Sequence, residues 1–394
     1  MIYFDNAATT WPKPPKVVEA VSGCITELGA NPGRAGHKMS IKANEMVEST
    51  RKKLANLFNI DQSQYERIVF TINATGALNL AIKGLLKSGD HVITSSMEHN
   101  SVTRPLNTLE KKGVEVTKIK CGEDGSISPD DIKKAIKSNT KLIVVTHASN
   151  VAGTVMPIEE IGKIAKEAGK YFLVDAAQTA GVLPIDVKRM NIDLLAFPGH
   201  KSLLGPTGTG ALYIGEGIEL DTLIEGGTGS QSELPGMPDT LPERYEAGTL
   251  NTTGIAGLEA GIDFILEKGM DTIRNHELRL ANMFIEGSKK VPGLKIYGPQ
   301  AGVERAPVVS FLIEGRKTAE IGGVLDKNYD IACRAGLHCA PDAHHTLGTL
   351  DKKLVRFSFS FFNTEDEVKR AIDALEEIVR KNITLPEGEG GCTC

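Results

Sequence analysis

Hydrophobic and polar positions follow two regimes along the chain. Between about residues 66 and 214, short apolar runs at 67–71, 91–95, 114–119, 142–147, 172–175, 194–197 and 210–214 are separated by amphipathic stretches at 77–87, 102–112, 130–137 and 158–168. Apolar runs without internal alternation suit strands covered on both faces, and the stretches between them have helical length and spacing. Strands linked through helices pair in parallel. The pattern predicts an α/β protein whose large domain holds a mostly parallel, seven-stranded sheet.

Beyond Gly248 the pattern changes. Helical stretches at 254–267 and 270–288 are followed by a strand-like run at 308–313, a helix at 318–327, a strand at 354–359 and a helix at 364–381. This predicts a smaller C-terminal α/β domain. The expected division is a large domain over 15–253, a small domain formed by 1–14 with 254–385, and a flexible cysteine-containing tail at 386–394. The Gly- and Pro-rich stretch 225–242 is long for a plain connection, and such loops are usually functional or mobile.

The remaining bulk properties narrow the class. With 394 residues, 41% hydrophobic and 24% charged, the chain has an ordinary globular composition. Lys and Arg total 45 against 50 Asp and Glu, so there is no basic field to hold nucleic acid. No apolar run approaches the roughly 20 residues that span a bilayer, and no signal-like segment opens the chain, so a cytoplasmic protein without a membrane partner is expected. Six cysteines in a chain this long are too few for a disulfide scaffold. Each has to be judged for burial or reactivity.

Three short segments carry candidate chemistry. At 70–83 a strand runs into a turn with Asn73, Ala74, Thr75 and Gly76 and then a helix, where free amides can bind phosphate; simple helix capping selects the same residues. The run Phe172-Leu173-Val174-Asp175 ends a strand in a carboxylate, with Gln178 three residues on. Ligands of open parallel sheets sit at such strand ends, although an Asp there can equally cap the next helix. The next strand ends in Pro198-Gly199-His200-Lys201. A lysine there forms a Schiff base once burial lowers its pKa, whereas most lysines are merely solvated surface charges. Phosphate donors, an acid for a ring nitrogen and an amine for an aldehyde together match pyridoxal 5′-phosphate.

With those residues in place, the chain resembles the class V aminotransferase family, a fold type I pyridoxal-phosphate transferase fold, and within it the cysteine desulfurases of the SufS-type, NifS-like group. The resemblance runs from Tyr3-Phe4-Asp5-Asn6 through Ser360. Its distinctive segments are Gly199-His200-Lys201-Ser202, Glu246-Ala247-Gly248-Thr249-Leu250-Asn251 and Arg334-Ala335-Gly336-Leu337-His338-Cys339-Ala340. It implies that Lys201 carries the cofactor, Asp175 pairs with the ring nitrogen, Gln178 and Asn150 bond the ring oxygen, and His99 stacks on the ring. Ala74, Thr75 and His200 would hold the phosphate, with Thr249 reaching in from the other subunit of a homodimer. One departure stands out. Many relatives carry a phosphate-binding serine two residues before the His-Lys pair, where this chain has Pro198, which offers neither a hydroxyl nor an amide hydrogen.

Cys339 separates a desulfurase from a transaminase or a lyase. The implied reaction converts L-cysteine to L-alanine and leaves a persulfide on Cys339 for a sulfur-acceptor protein, with His338 or a cofactor charge raising the thiolate fraction. Arg356 would clamp the substrate carboxylate. A selenocysteine lyase acting on L-selenocysteine would use the same residues. A different class, a sulfur or selenium carrier or a metal-binding module, would centre on Cys392 and Cys394. A zinc site built from His344 and His345 with cysteines matches no closed spacing, so no metal is expected.

Overall fold

The computed structural model describes residues 1–33 and 36–385. In chain order it opens with β1 (Ile2–Tyr3), α1 (Pro15–Glu27) and α2 (Lys38–Leu57). There follow β2 (Ile68–Thr71), α3 (Ala74–Leu85), β3 (His91–Ser95), α4 (Asn100–Glu110), β4 (Glu115–Ile119), α5 (Pro129–Ala135), β5 (Thr140–Thr146), α6 (Ile158–Glu167), β6 (Tyr171–Asp175), β7 (Leu194–Pro198) and β8 (Gly210–Ile214). The C-terminal part holds α7 (Thr252–Lys268), α8 (Met270–Ser288), β9 (Leu294–Tyr297), β10 (Val308–Ile313), α9 (Thr318–Tyr329), β11 (Ile331–Ala332), β12 (Arg334–Gly336), α10 (Pro341–Thr346), β13 (Leu354–Ser358) and α11 (Glu365–Arg380).

Strands β2 to β8 form one seven-stranded sheet in the order β2-β8-β7-β6-β5-β3-β4. It is parallel from β7 to β4, and β8 runs antiparallel to both of its neighbours. The apolar runs fall on this sheet for a simple reason: both of its faces are covered. Leu142 and Val144 of β5 enter one core while Ile143 and Val145 enter the other, and Leu194 and Ala196 of β7 oppose Leu195 and Phe197 in the same way. Period-two alternation then disappears from the sequence, because both sets of side chains are buried.

The smaller C-terminal layer is a four-stranded antiparallel sheet, β12-β13-β10-β9, with its own core of Phe284, Phe311, Phe357 and Phe359. Helix α11 closes over it. Thr364 and Glu367 form a capping box at its start, which sets the helix entry seen in the sequence. The first residues of the chain join this region through the parallel pair β1 and β11. Ile255, Leu258 and Ile262 of α7 lie in the core of the large sheet. The packing of the large layer thus continues past residue 253.

Several elements have no clear signature in the sequence. Helix α2 buries Ser40, Thr50 and Arg51 among its apolar residues, which blurs its periodicity. Helix α1 buries only Val17 and Cys24. Strands β1, β11 and β12 are two or three residues long, too short for any period to register.

Candidate active site

Parallel pairing of β6 with β7 puts Asp175 beside Ala196 and brings the carboxyl ends of both strands to one edge. Asp175 is 2% exposed, and its Oδ1 accepts the Ala177 amide at 2.9 Å. Burial pushes this carboxyl up, opposed by that amide and by the charge of Lys201. Burial also pulls the Lys201 amine down to about 8, against the pull of Asp175. The two groups share a cavity of about 290 Å³.

The same cavity is bounded by the start of α3. Asn73 caps that helix by accepting the Gly76 amide on Oδ1 at 2.9 Å. Gly210 of β8 lets the turn sit close, since a Cβ there would lie 2.6 Å from the Asn73 carbonyl carbon. The Thr75 hydroxyl lies 2.8 Å from that of Ser101. On the facing turn the His200 carbonyl accepts from Lys13 Nζ at 2.7 Å, Thr9 Oγ1 at 3.1 Å and the Thr10 amide at 3.1 Å. The amino-terminal segment therefore pins the His-Lys turn in place. The His200 ring is held near 4 by burial, hence neutral, and its buried Nδ1 has no partner among the described residues.

His99 precedes α4, and its Nδ1 accepts the Ser101 amide at 3.1 Å. Burial first, then Lys201 and Arg334, pull its pKa down to about 4. The ring is neutral and carries its hydrogen on Nε2. Asn150 donates to the His338 carbonyl at 2.7 Å, and Gln178 donates to the Ala7 carbonyl at 3.2 Å. Arg356, 1% exposed, donates to Asp5 at 2.8 Å and to the Asn150 carbonyl at 3.1 Å, while its Nε has no partner among the described residues. Desolvation pulls even this guanidinium below its usual range, with Asp5 opposing.

Cys339 is exposed and lies in an adjoining groove of about 420 Å³ that shares Thr75, His99 and Ser101 with the cavity. His338 and Cys339 both adopt left-handed backbone, with φ of 51° and 57°. Two such residues in succession are costly without glycine. The turn is held from both sides: the Asn100 amide donates to the Cys339 carbonyl at 2.8 Å, and His338 donates from Nε2 to the Leu354 carbonyl at 3.1 Å. This corrects one expectation. His338 is buried and neutral, pushed well below its ordinary pKa, and it is committed to a backbone carbonyl. The cation beside the sulfur is Arg334, whose Nη2 lies 3.6 Å from Sγ.

The cavity thus gathers Ala74, Thr75, His99, Asn150, Asp175, Gln178, His200, Lys201 and Arg356, with Cys339 next door. Thr249 is not among them. It is exposed and lines a separate, largely apolar groove with Ile72, Leu223 and Ile224. Ser101 and Arg334 line the cavity and Asp5 holds Arg356, parts that sequence reasoning did not assign, although Asp5 and Arg334 stand inside segments already singled out. His344 bonds Thr349 at 2.8 Å, and no metal-holding group of three His, Cys, Asp or Glu exists among the described residues. Cys392 and Cys394 lie outside the described residues, and no described helix is long and apolar enough to cross a membrane.

The donor set fits pyridoxal 5′-phosphate. A buried amine and a buried acid stand at neighbouring strand ends, and the same cavity is lined by a helix start with a hydroxyl and by His200, whose Nδ1 has no partner among the described residues.

The family model for class V aminotransferases matches residues 2–371. A probable cysteine desulfurase of Methanothermobacter thermautotrophicus is 36% identical over 388 residues, covering 96% of this chain and 94% of its own. A probable cysteine desulfurase of Pyrococcus abyssi is 38% identical over 392 residues, with the same coverage of both chains. Among solved structures, the apo cysteine desulfurase of Thermococcus onnurineus superposes with a TM-score of 0.89 at 36% identity, covering 96% of this chain and 95% of that one. The chain belongs to the class V aminotransferase family, in its cysteine desulfurase group.

Proposed function

We infer that the protein is a pyridoxal-phosphate-dependent cysteine desulfurase that converts L-cysteine to L-alanine and carries the released sulfur as a persulfide on Cys339. The observation that carries this reading is the meeting of the buried Lys201–Asp175 pair with an exposed cysteine across one shared wall. When bound, the cofactor supplies an electron sink for the substrate α-carbon.

Each residue has a definite part. Lys201 would hold the cofactor, and its amine, near pKa 8, is well matched to moving the substrate α-proton. Asp175 would pair with the ring nitrogen, the buried arrangement in which a carboxylate is most effective. His99, neutral, would pack against the ring. Thr75, Ala74 and His200 would hold the phosphate, and Asn150 with Gln178 the ring oxygen. Arg356 binds the substrate carboxylate; Asp5 and the Asn150 carbonyl already fix its guanidinium plane, so little ordering remains to be done on binding. The Cys339 sulfur attacks the substrate sulfur. The new S–S bond forms as the Cβ–S bond breaks, the electron pair of that bond passes to the β-carbon, and alanine results when the β-carbon takes up a proton and the α-carbon regains the one it lost. Arg334 stands where it balances charge on the sulfur.

The persulfide then passes to an acceptor protein, for which an exposed cysteine is accessible. The enzyme acts as a two-fold dimer in which Thr249 completes the partner's phosphate site. Support comes from the groove around Thr249, where Ile72 and Ile224 are 70% and 68% exposed. Alanine release from L-cysteine, with one extra sulfur on Cys339 by mass spectrometry, tests the reaction. The mass in solution tests the dimer.

A further inference from the structure

After β5 the chain turns back as a tight hairpin, in which the Ser149 amide donates to the Thr154 carbonyl at 3.0 Å. Ser149 Oγ accepts the amides of Val151 and Ala152 at 3.2 and 3.1 Å, so the carbonyls of the tip must find donors elsewhere. All four find them on the small-sheet side. The Asn150 carbonyl accepts from Arg356 Nη1 at 3.1 Å and the Val151 carbonyl from Ser310 Oγ at 2.6 Å. The Ala152 carbonyl accepts from Arg305 Nη2 at 3.2 Å and the Gly153 carbonyl from the Ala306 amide at 2.8 Å. The contact is close: a Cβ on Gly153 would stand 2.5 Å from the Val308 carbonyl oxygen.

Arg305 is the unusual member of this set. It is 0% exposed, yet it has no carboxylate partner among the described residues; its other bonds go to the carbonyls of Pro299 and Val308. Burial pulls even this guanidinium down to about 10. A buried cation without a counter-charge is costly, and an apolar side chain could fill the space without that cost. What arginine alone offers is a planar fork that reaches several carbonyls at once.

The first residue of the tip shows what the fork is for. Asn150 lines the cavity, takes Arg356 on its carbonyl and donates from Nδ2 to the His338 carbonyl at 2.7 Å. The arginine for the substrate carboxylate and the turn that carries Cys339 are therefore fastened to one residue. That turn needs the support, because His338 and Cys339 are both left-handed.

We propose that Arg305 is a positioning residue for the sulfur-transfer step, holding the 150–153 hairpin so that Asn150 keeps the Cys339 turn in register with Arg356. Arg305 does not line the cavity, and it acts through Asn150. The proposal rests on the desulfurase reading, in which Cys339 attacks a substrate whose carboxylate Arg356 binds.

Two readouts on the full-length protein test it: amide hydrogen exchange followed by mass spectrometry, and alanine release from L-cysteine by the loaded enzyme. Arg305→Lys keeps the charge but not the fork. It should speed exchange in peptides covering 334–343 about tenfold, the scale of one hydrogen bond to a charged group, while β6 and α11 keep their wild-type rates. The kcat should fall by a similar factor, with a smaller change in KM because Asp5 still holds Arg356. In an Asn150→Ala background, Arg305→Lys should add almost nothing to either readout. Ser310→Ala removes only the Val151 contact and should move both in the same direction by less; it carries the test should Arg305→Lys not fold. A Cys339 turn that exchanges at the wild-type rate in these variants, or effects fully additive with Asn150→Ala, would overturn the role of Arg305. A wild type that releases no alanine from L-cysteine would instead overturn the desulfurase reading, and the part of Arg305 in sulfur transfer with it.

Discussion

The two walls of the cavity are built on opposite principles. One is the edge of the parallel sheet, where Asp175 and Lys201 follow buried strands and loss of water pushes the carboxyl up and pulls the amine down to about 8. The other is the Cys339 turn, exposed at its cysteine, left-handed at two successive residues and held by a backbone hydrogen bond from α4 and by the His338 ring on a β13 carbonyl. Cofactor chemistry needs the first kind of wall, since a lysine amine becomes a useful base only when desolvated. Sulfur delivery needs the second. A buried thiol cannot hand its cargo to another protein, and in Cys333, half-buried one strand away, desolvation already pushes the thiol up.

The largest effect is expected at the buried wall. Lys201→Ala should lower alanine formation by at least about 10²–10⁴-fold, the usual worth of a positioned acid–base group, and should also abolish the yellow colour of the loaded protein. Retained colour with lost turnover would confine Lys201 to proton movement. At the exposed wall, Cys339→Ser should abolish alanine release from L-cysteine while leaving pyridoxal 5′-phosphate affinity at the wild-type value. Weakened cofactor binding in that variant would show that the two walls are not separate devices.

Arg356 sits between the walls, and Arg356→Ala should raise KM for L-cysteine by an amount equivalent to about 2–5 kcal/mol, with a smaller change in kcat. An unchanged KM would leave Arg356 as a structural partner of Asp5. A milder signature is the pH dependence of cofactor uptake by the apo-protein. The neutral amine is the reactive form, so the rate should climb as pH rises through about 8 and level off above it. A midpoint near the ordinary lysine value of 10.5 would mean that burial does not act on Lys201 as the structure indicates. The smallest effect is expected from truncation after Pro386, which should leave alanine formation with a small reductant unchanged. Loss of turnover would draw the Cys392 and Cys394 segment into the reaction itself.

Much of this was legible in the sequence because it is written locally. The seven apolar runs and their helical spacers are set by which neighbouring side chains must be buried, and each matches a strand of the large sheet. Asp175 and Lys201 could be placed because strand ends follow directly from where those runs stop. Cys339 was recognisable from its motif, and the cap at Asn73 from the residue types alone.

Tertiary structure decided the rest, where partners are distant in sequence or similar in kind. Arg356 meets Asp5 across 351 positions, and only the pairing of β13 with β10 and the return of the first residues to the small sheet bring them together. His338 and Arg334 both flank Cys339, but burial silences the histidine while the arginine reaches the sulfur. Ser101 carries no motif at all; only the fold sets its hydroxyl against Thr75 and His99 at once. Local propensity and periodicity are short-range and survive in the order of residues. Desolvation and long-range hydrogen bonds depend on which surfaces finally pack together, and those arise only in the folded chain.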